Sequence, residues 1–256
     1  MEELLGFGFV QCAPSSQIIS GVEVNKGEFP YTLSLQRFNA STGWSHVCGA
    51  TLIFFEYAIT AATCFLRSSD PIEYRVVAGL HELANTPEQQ FLSVLTIDIN
   101  PAFSNDQANG YPNNIAVIRH QAATYNAYVH SIPLPSAATF FDQFCNITGW
   151  GRYEGGAVAP VLRRGEDRII NDIDCNAAYP SININYNYHV CFGDGQISAC
   201  GLDEGGPLIC REPEGAQAPT VAGVSSFNDI SCSSGPSVYT RVSSYLAWIC
   251  SITQSC

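Results

Sequence analysis

Basic residues, long apolar runs and helical patterns are all scarce in this sequence of 256 residues. Only 11 Lys and Arg stand against 23 Asp and Glu, which gives a formal net charge of −12. A chain this acidic is a poor partner for nucleic acid or for an anionic membrane. No apolar run approaches the roughly 20 residues that span a bilayer. We therefore expect a soluble protein without a membrane span.

Apolar and β-branched runs are numerous, short and bounded by turn formers, which is typical of many β-strands. Clear helical spacing occurs between Val242 and Ile249, where positions 242, 245, 246 and 249 are apolar. We expect an all-β fold that ends in an α-helix. No internal repeat or low-complexity tract divides the chain.

Eleven cysteines indicate an oxidising compartment, and hence secretion. Two acceptor sequences for N-linked sugar, at Asn39 and Asn146, agree with secretion. Residues 1–17 contain a short apolar run, Leu4 to Val10, with acidic flanks, and look like a leader or propeptide segment. We expect a secreted, extracellular glycoprotein.

The segment ACGLDEGGPLIC, from Ala199 to Cys210, has the pattern of a serine-protease nucleophile loop with Glu204 in place of the serine. Six further motifs stand in the matching order along the chain: GEFPYTLSLQ, SHVCGATLI, TAATC, NIAVI, TGWGR and PSVYTRVSSYLAWI. With these motifs the chain resembles the trypsin and chymotrypsin family from Ile18 to about Cys250. Within that family, its general sequence character is similar to that of the annelid fibrinolytic proteases.

The resemblance assigns the three catalytic positions one at a time. The family's histidine falls on Thr63 in TAATC, its aspartate on Asn114 in NIAVI, and its serine on Glu204. Triad catalysis needs a hydroxyl or thiol nucleophile, an imidazole base and an anion that orients the base. An ionised Glu204 would also oppose a developing oxyanion. Leu202 replaces an oxyanion-hole glycine, whose backbone conformation leucine resists.

These replacements predict that the chain is not an enzyme but a secreted serine protease homologue that binds a protein partner or ligand. Such homologues serve as cascade cofactors, decoys, agglutinins or complex subunits. The alternative is a serine-type hydrolase in which another Ser, Thr or Glu of the cleft has taken over. A third reading is a structural or storage component without a specific site.

Other chemistry at the same positions is disfavoured. Glu204 as a nucleophile would need a partner acid beside it, and the sequence places none there. Thr63, Asn114 and Glu204 together offer too few oxygens for calcium, which takes six to eight. The five histidines lack metal-ligand spacing. We expect no metal and no cofactor.

The resemblance implies four disulfide bonds that staple the loops around the site. They join Cys48 to Cys64, Cys145 to Cys210, Cys175 to Cys191, and Cys200 to Cys232. Cys12, Cys250 and Cys256 are left over, and an odd count means that at least one thiol is free, joined to another chain or lost on processing. A local bridge between Cys250 and Cys256 and a disulfide-linked assembly both remain open.

The former specificity pocket is also assigned by resemblance. Ser198 matches its floor, Ser226 and Phe227 match the strand that pairs with substrate backbone, and Ser237 matches a wall position usually held by glycine. The floor is uncharged, so an open pocket would suit an apolar or small side chain, while plain structural filling is the competing interpretation.

Activation in the family cuts before a hydrophobic residue, whose new amino group pairs with the aspartate before the nucleophile. These positions match Ile18 and Asp203 here. The preceding Gln17 offers no Arg or Lys to a trypsin-like activator.

The implied architecture is two antiparallel six-stranded β-barrels and a C-terminal helix. One domain is expected over 18–256, with subdomains of about 18–125 and 126–256.

Overall fold

The computed structural model describes residues 18, 21–84, 87–136, 139–152, 158–212, 218–229, 231–232 and 235–255. The predicted leader at 1–17, Cys12 and Cys256 lie outside these residues. Within them the strands are β1 Val22–Glu23, β2 Thr32–Asn39, β3 Gly43–Phe54, β4 Tyr57–Thr60, β5 Tyr74–Ala78, β6 Gln90–Ile99, β7 Ala116–His120, β8 Phe144–Gly149, β9 Arg163–Arg168, β10 His189–Phe192, β11 Pro207–Arg211, β12 Pro219–Phe227 and β13 Ser237–Arg241; the α-helices are α1 Asp172–Ala178 and α2 Leu246–Thr253.

Strands β2 to β7 form a closed antiparallel barrel in the order β2, β3, β4, β7, β6, β5. Alternate residues of these strands point inward, as the period of two in a pleated strand requires. Leu33, Leu35, Leu52, Ile59 and Ile118 are fully buried there. Apolar burial of this kind is the main favourable term in folding.

The second half is a seven-stranded antiparallel sheet in the order β1, β9, β8, β11, β12, β13, β10. Its far edge curls back, because Phe192 at the end of β10 forms an isolated bridge to Ile169, directly after β9. The amide of Gly193 also donates to the Arg168 carbonyl at 2.8 Å. The sheet is thus rolled around a core that contains Phe192, Leu208 and Tyr239.

The expected mostly β fold with a C-terminal helix is confirmed, with three differences in detail. The short strand β1 adds a seventh member to the second sheet. Helix α1 was not predicted; it is seven residues long and is capped by the Asn171 side chain, which accepts from the Asp174 amide. The helical pattern from Val242 begins as a 3₁₀ turn, Val242–Tyr245, and continues as α2 to Thr253.

All four disulfide bonds implied by the resemblance are formed: Cys48–Cys64, Cys145–Cys210, Cys175–Cys191 and Cys200–Cys232. Cys250 is also disulfide-bonded. No helix in the described part of the chain is long and apolar enough to cross a membrane.

The two predicted sugar acceptors lie in different surroundings. Asn39 ends β2 with an exposed side chain that accepts a hydrogen bond from the Ser41 amide at 2.8 Å. Asn146 lies within β8, is partly buried, and accepts from Arg164 Nη1 at 3.2 Å. An enzyme that transfers a bulky glycan therefore has easier access to Asn39.

The two sheets touch through backbone. The amide of Gly49 in β3 donates to the Glu204 carbonyl at 2.8 Å, while within the barrel the Gly49 carbonyl accepts from Thr60 Oγ1 at 2.7 Å. A Cβ atom on Gly49 would lie 2.6 Å from the Gly206 Cα atom. Only glycine allows the backbones to approach this closely.

Substitution of Gly49 by alanine is therefore expected to lower the free energy of unfolding by about 1–3 kcal/mol, because the new methyl group must push the sheets apart. Urea unfolding with the disulfides intact measures the change. Gly201→Ala is the matched control, since the nearest atom, Arg152 Cδ, would be 3.6 Å from the new Cβ atom. Equal stability of Gly49→Ala and the native chain would contradict the close approach.

Candidate functional site

Asn114 joins the two sheets at the base of the cleft between them. It precedes β7 and is fully buried. Its Nδ2 group donates to Ser226 Oγ in β12 at 2.9 Å and to Thr63 Oγ1 at 3.3 Å, and its Oδ1 atom accepts from the Thr63 amide at 2.9 Å. A buried amide that has all of these partners holds them in fixed positions.

Thr63 lies in a 3₁₀ turn, Ala62–Phe65, which follows β4. The Cys48–Cys64 disulfide ties this turn to β3. The sequence folds this way because Ala62 and Phe65 of the turn are buried against the first barrel. The partly buried Thr63 side chain therefore faces the cleft.

Glu204 directs its carboxylate back onto its own loop. Its Oε2 atom accepts from the Leu202 amide at 2.7 Å, and the carboxylate also accepts from the Glu204 amide. Burial raises the pKa of Glu204, and the two backbone hydrogen bonds lower it. In a triad protease the corresponding pair of amides receives the oxyanion. Here the protein's own carboxylate occupies them.

Leu202 adopts the backbone conformation that was expected to be difficult for it, with φ at 80°. A leucine in this region is strained, and its surroundings must hold it there. The His46 ring does so: its Nε2 atom lies 3.0 Å from the Leu202 carbonyl, and its Nδ1 atom lies 2.8 Å from Ser34 Oγ. Since a carbonyl only accepts, Nε2 carries a proton. Burial lowers the His46 pKa to about 4, so the ring is neutral at pH 7.

A cavity of about 640 Å³ opens above these groups. The predicted residues Thr63, Leu202, Glu204, Ser226 and Phe227 line it, and Asn114 lies beneath. The lining residues that the sequence reasoning missed are Arg37, Val47, Leu66, Arg67, Tyr74, Asn105, Tyr111 and Asn228. Asn105 and Tyr111 come from the segment between β6 and β7.

Asn228 carries an unused hydrogen-bond acceptor. Its Oδ1 atom is buried and has no hydrogen-bond partner among the described residues. A buried polar atom without a partner costs about 1–3 kcal/mol. Asn228 also lines the cavity, although its Oδ1 atom is itself buried.

Ser198 and Ser237 are brought together behind the cavity rather than along it. Both are fully buried, their hydroxyl oxygens lie 3.2 Å apart, and Ser237 Oγ also accepts from the Ala199 amide at 3.0 Å. Neither residue lines a cavity among those found in the described part of the chain.

Asp203 is buried next to the loop and is held by backbone. Its Oδ1 atom accepts from the Gly151 amide at 2.7 Å and its Oδ2 atom from the Cys200 amide at 3.0 Å. Burial raises the Asp203 pKa to about 7, the two amides lower it, and the Glu204 charge raises it. The side chain of Ile18 is buried in the core of the second sheet. The pairing of an Ile18 amino group with Asp203 stays a prediction.

This arrangement can hold a ligand by shape and hydrogen bonds in a cleft whose base is electrically neutral. No group of three or more His, Cys, Asp or Glu side chains in the described ranges is placed to hold a metal ion. A closed β-barrel and a rolled sheet with a cleft between them define the architecture of the two-barrel serine proteases.

Comparison with known proteins agrees with that class. A family model described as Trypsin matches residues 18–249. The chain therefore belongs to the trypsin family, and the resemblance predicted from its motifs is confirmed.

Relatives in this family cover most of the chain. The bovine (Bos taurus) protein named Chymotrypsin-like elastase family member 1 is 36% identical over 245 residues, which is 92% of this chain and 89% of the relative. Fibrinolytic enzyme, isozyme C, of Lumbricus rubellus is 35% identical over 91% of this chain and 98% of the relative. A Chymotrypsin-like serine proteinase of Haliotis rufescens is 32% identical over 92% of this chain and 91% of the relative.

The prediction that the chain is not an enzyme is wrong against these findings, because the relatives are named as an elastase, a fibrinolytic enzyme and a serine proteinase. Replacement of the triad residues removes one mechanism, the attack of a serine activated by histidine. It does not decide what the other groups of the cleft do, among them the hydroxyls of Thr63 and Ser226.

Burial of Asp203 predicts a specific dependence of stability on pH. Its folded pKa of about 7 lies above the value of 3.8 that is usual for an aspartate, so the folded state binds more protons between these values. Stability from this group is therefore present at low pH and is lost as the pH rises from about 4 to about 7. At about 1.4 kcal/mol per pKa unit the loss is up to about 4 kcal/mol.

The measurement is the difference in unfolding free energy between the native chain and Asp203→Asn, taken by urea unfolding at pH 4, 5, 6 and 7. The native chain should lose stability relative to the variant, which cannot ionise. A difference that does not change with pH would show that Asp203 titrates normally.

Proposed function

We propose that this trypsin-family chain is secreted and that its cleft binds an extended polypeptide segment of another protein. The observation that carries the proposal is the cavity of about 640 Å³ between the two sheets, which apolar and polar side chains line together. A cleft with apolar walls and a few placed polar groups is the usual form of a binding site.

The lining of the cleft suits a peptide chain. Leu66, Tyr111 and Phe227 supply apolar surface, and the Tyr111 and Phe227 rings pack with centroids 5.7 Å apart. Asn105 and Asn228 supply amides, which pair with the N–H and C=O groups that every peptide unit carries. The relatives support the same ligand class, since an elastase, a fibrinolytic enzyme and a serine proteinase act on proteins.

Secretion is supported by the covalent structure. Four disulfide bonds are formed between described cysteines, and Cys250 is disulfide-bonded as well. Disulfides of this density form and persist in oxidising compartments. A protein partner met outside the cell follows from the two proposals together.

Removal of an amide side chain from the cleft lining tests the binding role. We expect Asn228→Leu to weaken peptide binding about 10-fold, because the cleft then loses an amide that can pair with the ligand backbone. The tightest peptides from an array are measured by fluorescence anisotropy against the full chain. Asn187→Leu is the matched control, since Asn187 is exposed and lies outside the cleft lining. Equal losses in both variants, or no saturable peptide, would exclude the proposed site.

Hydrolysis of the bound segment is a second candidate function, favoured by the names of the relatives. The described cleft offers the Thr63 and Ser226 hydroxyls, each of which accepts a hydrogen bond from Asn114 Nδ2. A hydrolase of this kind would work without the triad. Turnover of the array peptides by the native chain, retained in Glu204→Ala and lost in Ser226→Ala, would support it.

Restoring the family residues gives a reference for that measurement. We expect the combined variant Thr63→His, Asn114→Asp, Glu204→Ser and Leu202→Gly to cleave peptides at least about 100-fold faster than the native chain, because a general base alone contributes 10²–10⁴-fold. Leu202→Gly also removes a strained φ of 80°. Equal rates in the two proteins would show either that the native site already works well or that the loop is not arranged for the triad, and binding of the same peptides to each protein separates the two.

A further inference from the structure

The outer face of the first barrel carries a second cavity, of about 570 Å³, away from the base of the cleft. We call it the aromatic groove and define it by Trp44, Ile72, Arg75, Phe91 and Leu95, which line it together with five other residues. Strands β3, β5 and β6 supply four of these side chains, and the turn before β5 supplies Ile72.

The apolar side chains of the aromatic groove are exposed to an unusual degree. Trp44 is 37% exposed, Leu95 49%, Phe91 50% and Ile72 81%. Phe38 extends the same surface, since its ring lies 5.4 Å from that of Trp44. Single exposed apolar residues need no explanation, whereas a contiguous group marks an interaction surface.

Arg75 lies in the middle of this surface with its guanidinium group held in place. The group lies 4.6 Å from the centroid of the Trp44 ring and 4.2 Å from that of Phe91, and Nε donates to Gln36 Oε1 at 2.8 Å. The guanidinium group is stacked against two rings and donates one hydrogen bond. These contacts fix its orientation before any ligand binds.

The two terminal nitrogens of the Arg75 guanidinium group have no hydrogen-bond acceptor within the part of the chain that the structure describes. Other arginines of the chain have a carboxylate: Arg37 pairs with Glu73 at 2.7 Å, and Arg168 pairs with Asp142 at 2.6 Å. Arg168 is the informative comparison, because it also stacks on an aromatic ring, that of Phe144, at 4.4 Å. Arg75 has the same stacked geometry without the carboxylate.

We infer that the aromatic groove is a second binding site, for a polypeptide segment of another protein in which an Asp or Glu is flanked by apolar side chains. The carboxylate of that Asp or Glu would accept two hydrogen bonds from the terminal nitrogens of Arg75. This bidentate geometry is the one that guanidinium groups favour. The flanking apolar side chains would cover the Trp44 and Phe91 rings and Leu95. Aromatic residues and Arg are the residue types that dominate binding energy at protein interfaces.

Charge around the groove makes the recognition specific. The chain carries a net charge of −12, so acidic partners are not attracted in general. Asp70 lines the groove, and its Oδ1 atom accepts from the Ile72 amide at 3.1 Å, which ties that carboxylate to its own turn. A ligand must therefore place its carboxylate on Arg75 and keep it away from Asp70.

Tyr74 lines both the groove and the cleft. The two cavities are thus neighbours on one face of the first barrel, and a single partner can contact both. The inference does not depend on the cleft, because the groove has its own charged group and its own apolar surface.

The test uses two synthetic peptides and the full chain labelled with ¹⁵N. The first is N-acetylated and C-amidated Gly-Phe-Asp-Phe-Gly, and the second has Asn in place of Asp. We expect the Asp peptide to bind with saturation at up to about 1 mM and to shift the Arg75 Nε–H and Trp44 indole N–H signals. The Asn peptide should bind about 10-fold more weakly, since a charge-assisted pair is lost.

Two variants complete the test, and both remove one positive charge from a stacked arginine. Arg75→Gln should lose the preference for the Asp peptide, and Arg168→Gln should keep it. Equal affinity for the two peptides, an Arg75→Gln variant that binds like the native chain, or shifts confined to the cleft would each overturn the inference.

Discussion

The contact between Gly49 and the Glu204–Gly206 backbone is the constraint on which the rest of the structure depends. It joins the closed barrel to the rolled sheet through a 2.8 Å hydrogen bond and leaves no room for a Cβ atom. Because this contact fixes the loop that carries Leu202 to Glu204, it also fixes one wall of the cleft. The base of the cleft is fixed by Asn114, which bonds to Thr63 on one side and to Ser226 on the other.

The site between the sheets is held by neutral hydrogen bonds where the family uses an ionic triad. Asn114 donates and accepts, so it needs no charged partner to be stable when buried. The Glu204 carboxylate is stabilised by hydrogen bonds from two backbone amides of its own loop. His46 holds the Leu202 carbonyl from behind and is itself neutral. Together these contacts keep a strained loop conformation in place, and the cavity above them stays open toward Tyr111 and Phe227.

Much of this could be predicted from the sequence because family motifs encode local geometry. Seven motifs in order led to the fold and to the four disulfide pairs, and the run from Val242 led to the C-terminal helix. Helix α1 was missed, since its stability comes from a side-chain cap at Asn171 and from the buried Cys175 rather than from an apolar stripe. The judgement that the chain is not an enzyme was also drawn from motifs, and it failed because three positions describe one mechanism and not a whole cleft.

The sequence by itself determined which residue types stand at the triad positions, which cysteines were available, and that the surface is acidic. Only the tertiary structure decided where the Glu204 carboxylate goes, that Ser198 and Ser237 bond to each other behind the cleft, and that Arg75 lies between two aromatic rings without a carboxylate. The reason is that side-chain direction and hydrogen-bond partners depend on residues far apart in the chain. Arg75, Trp44 and Phe91 come from three strands, and their contact exists only once the barrel has closed.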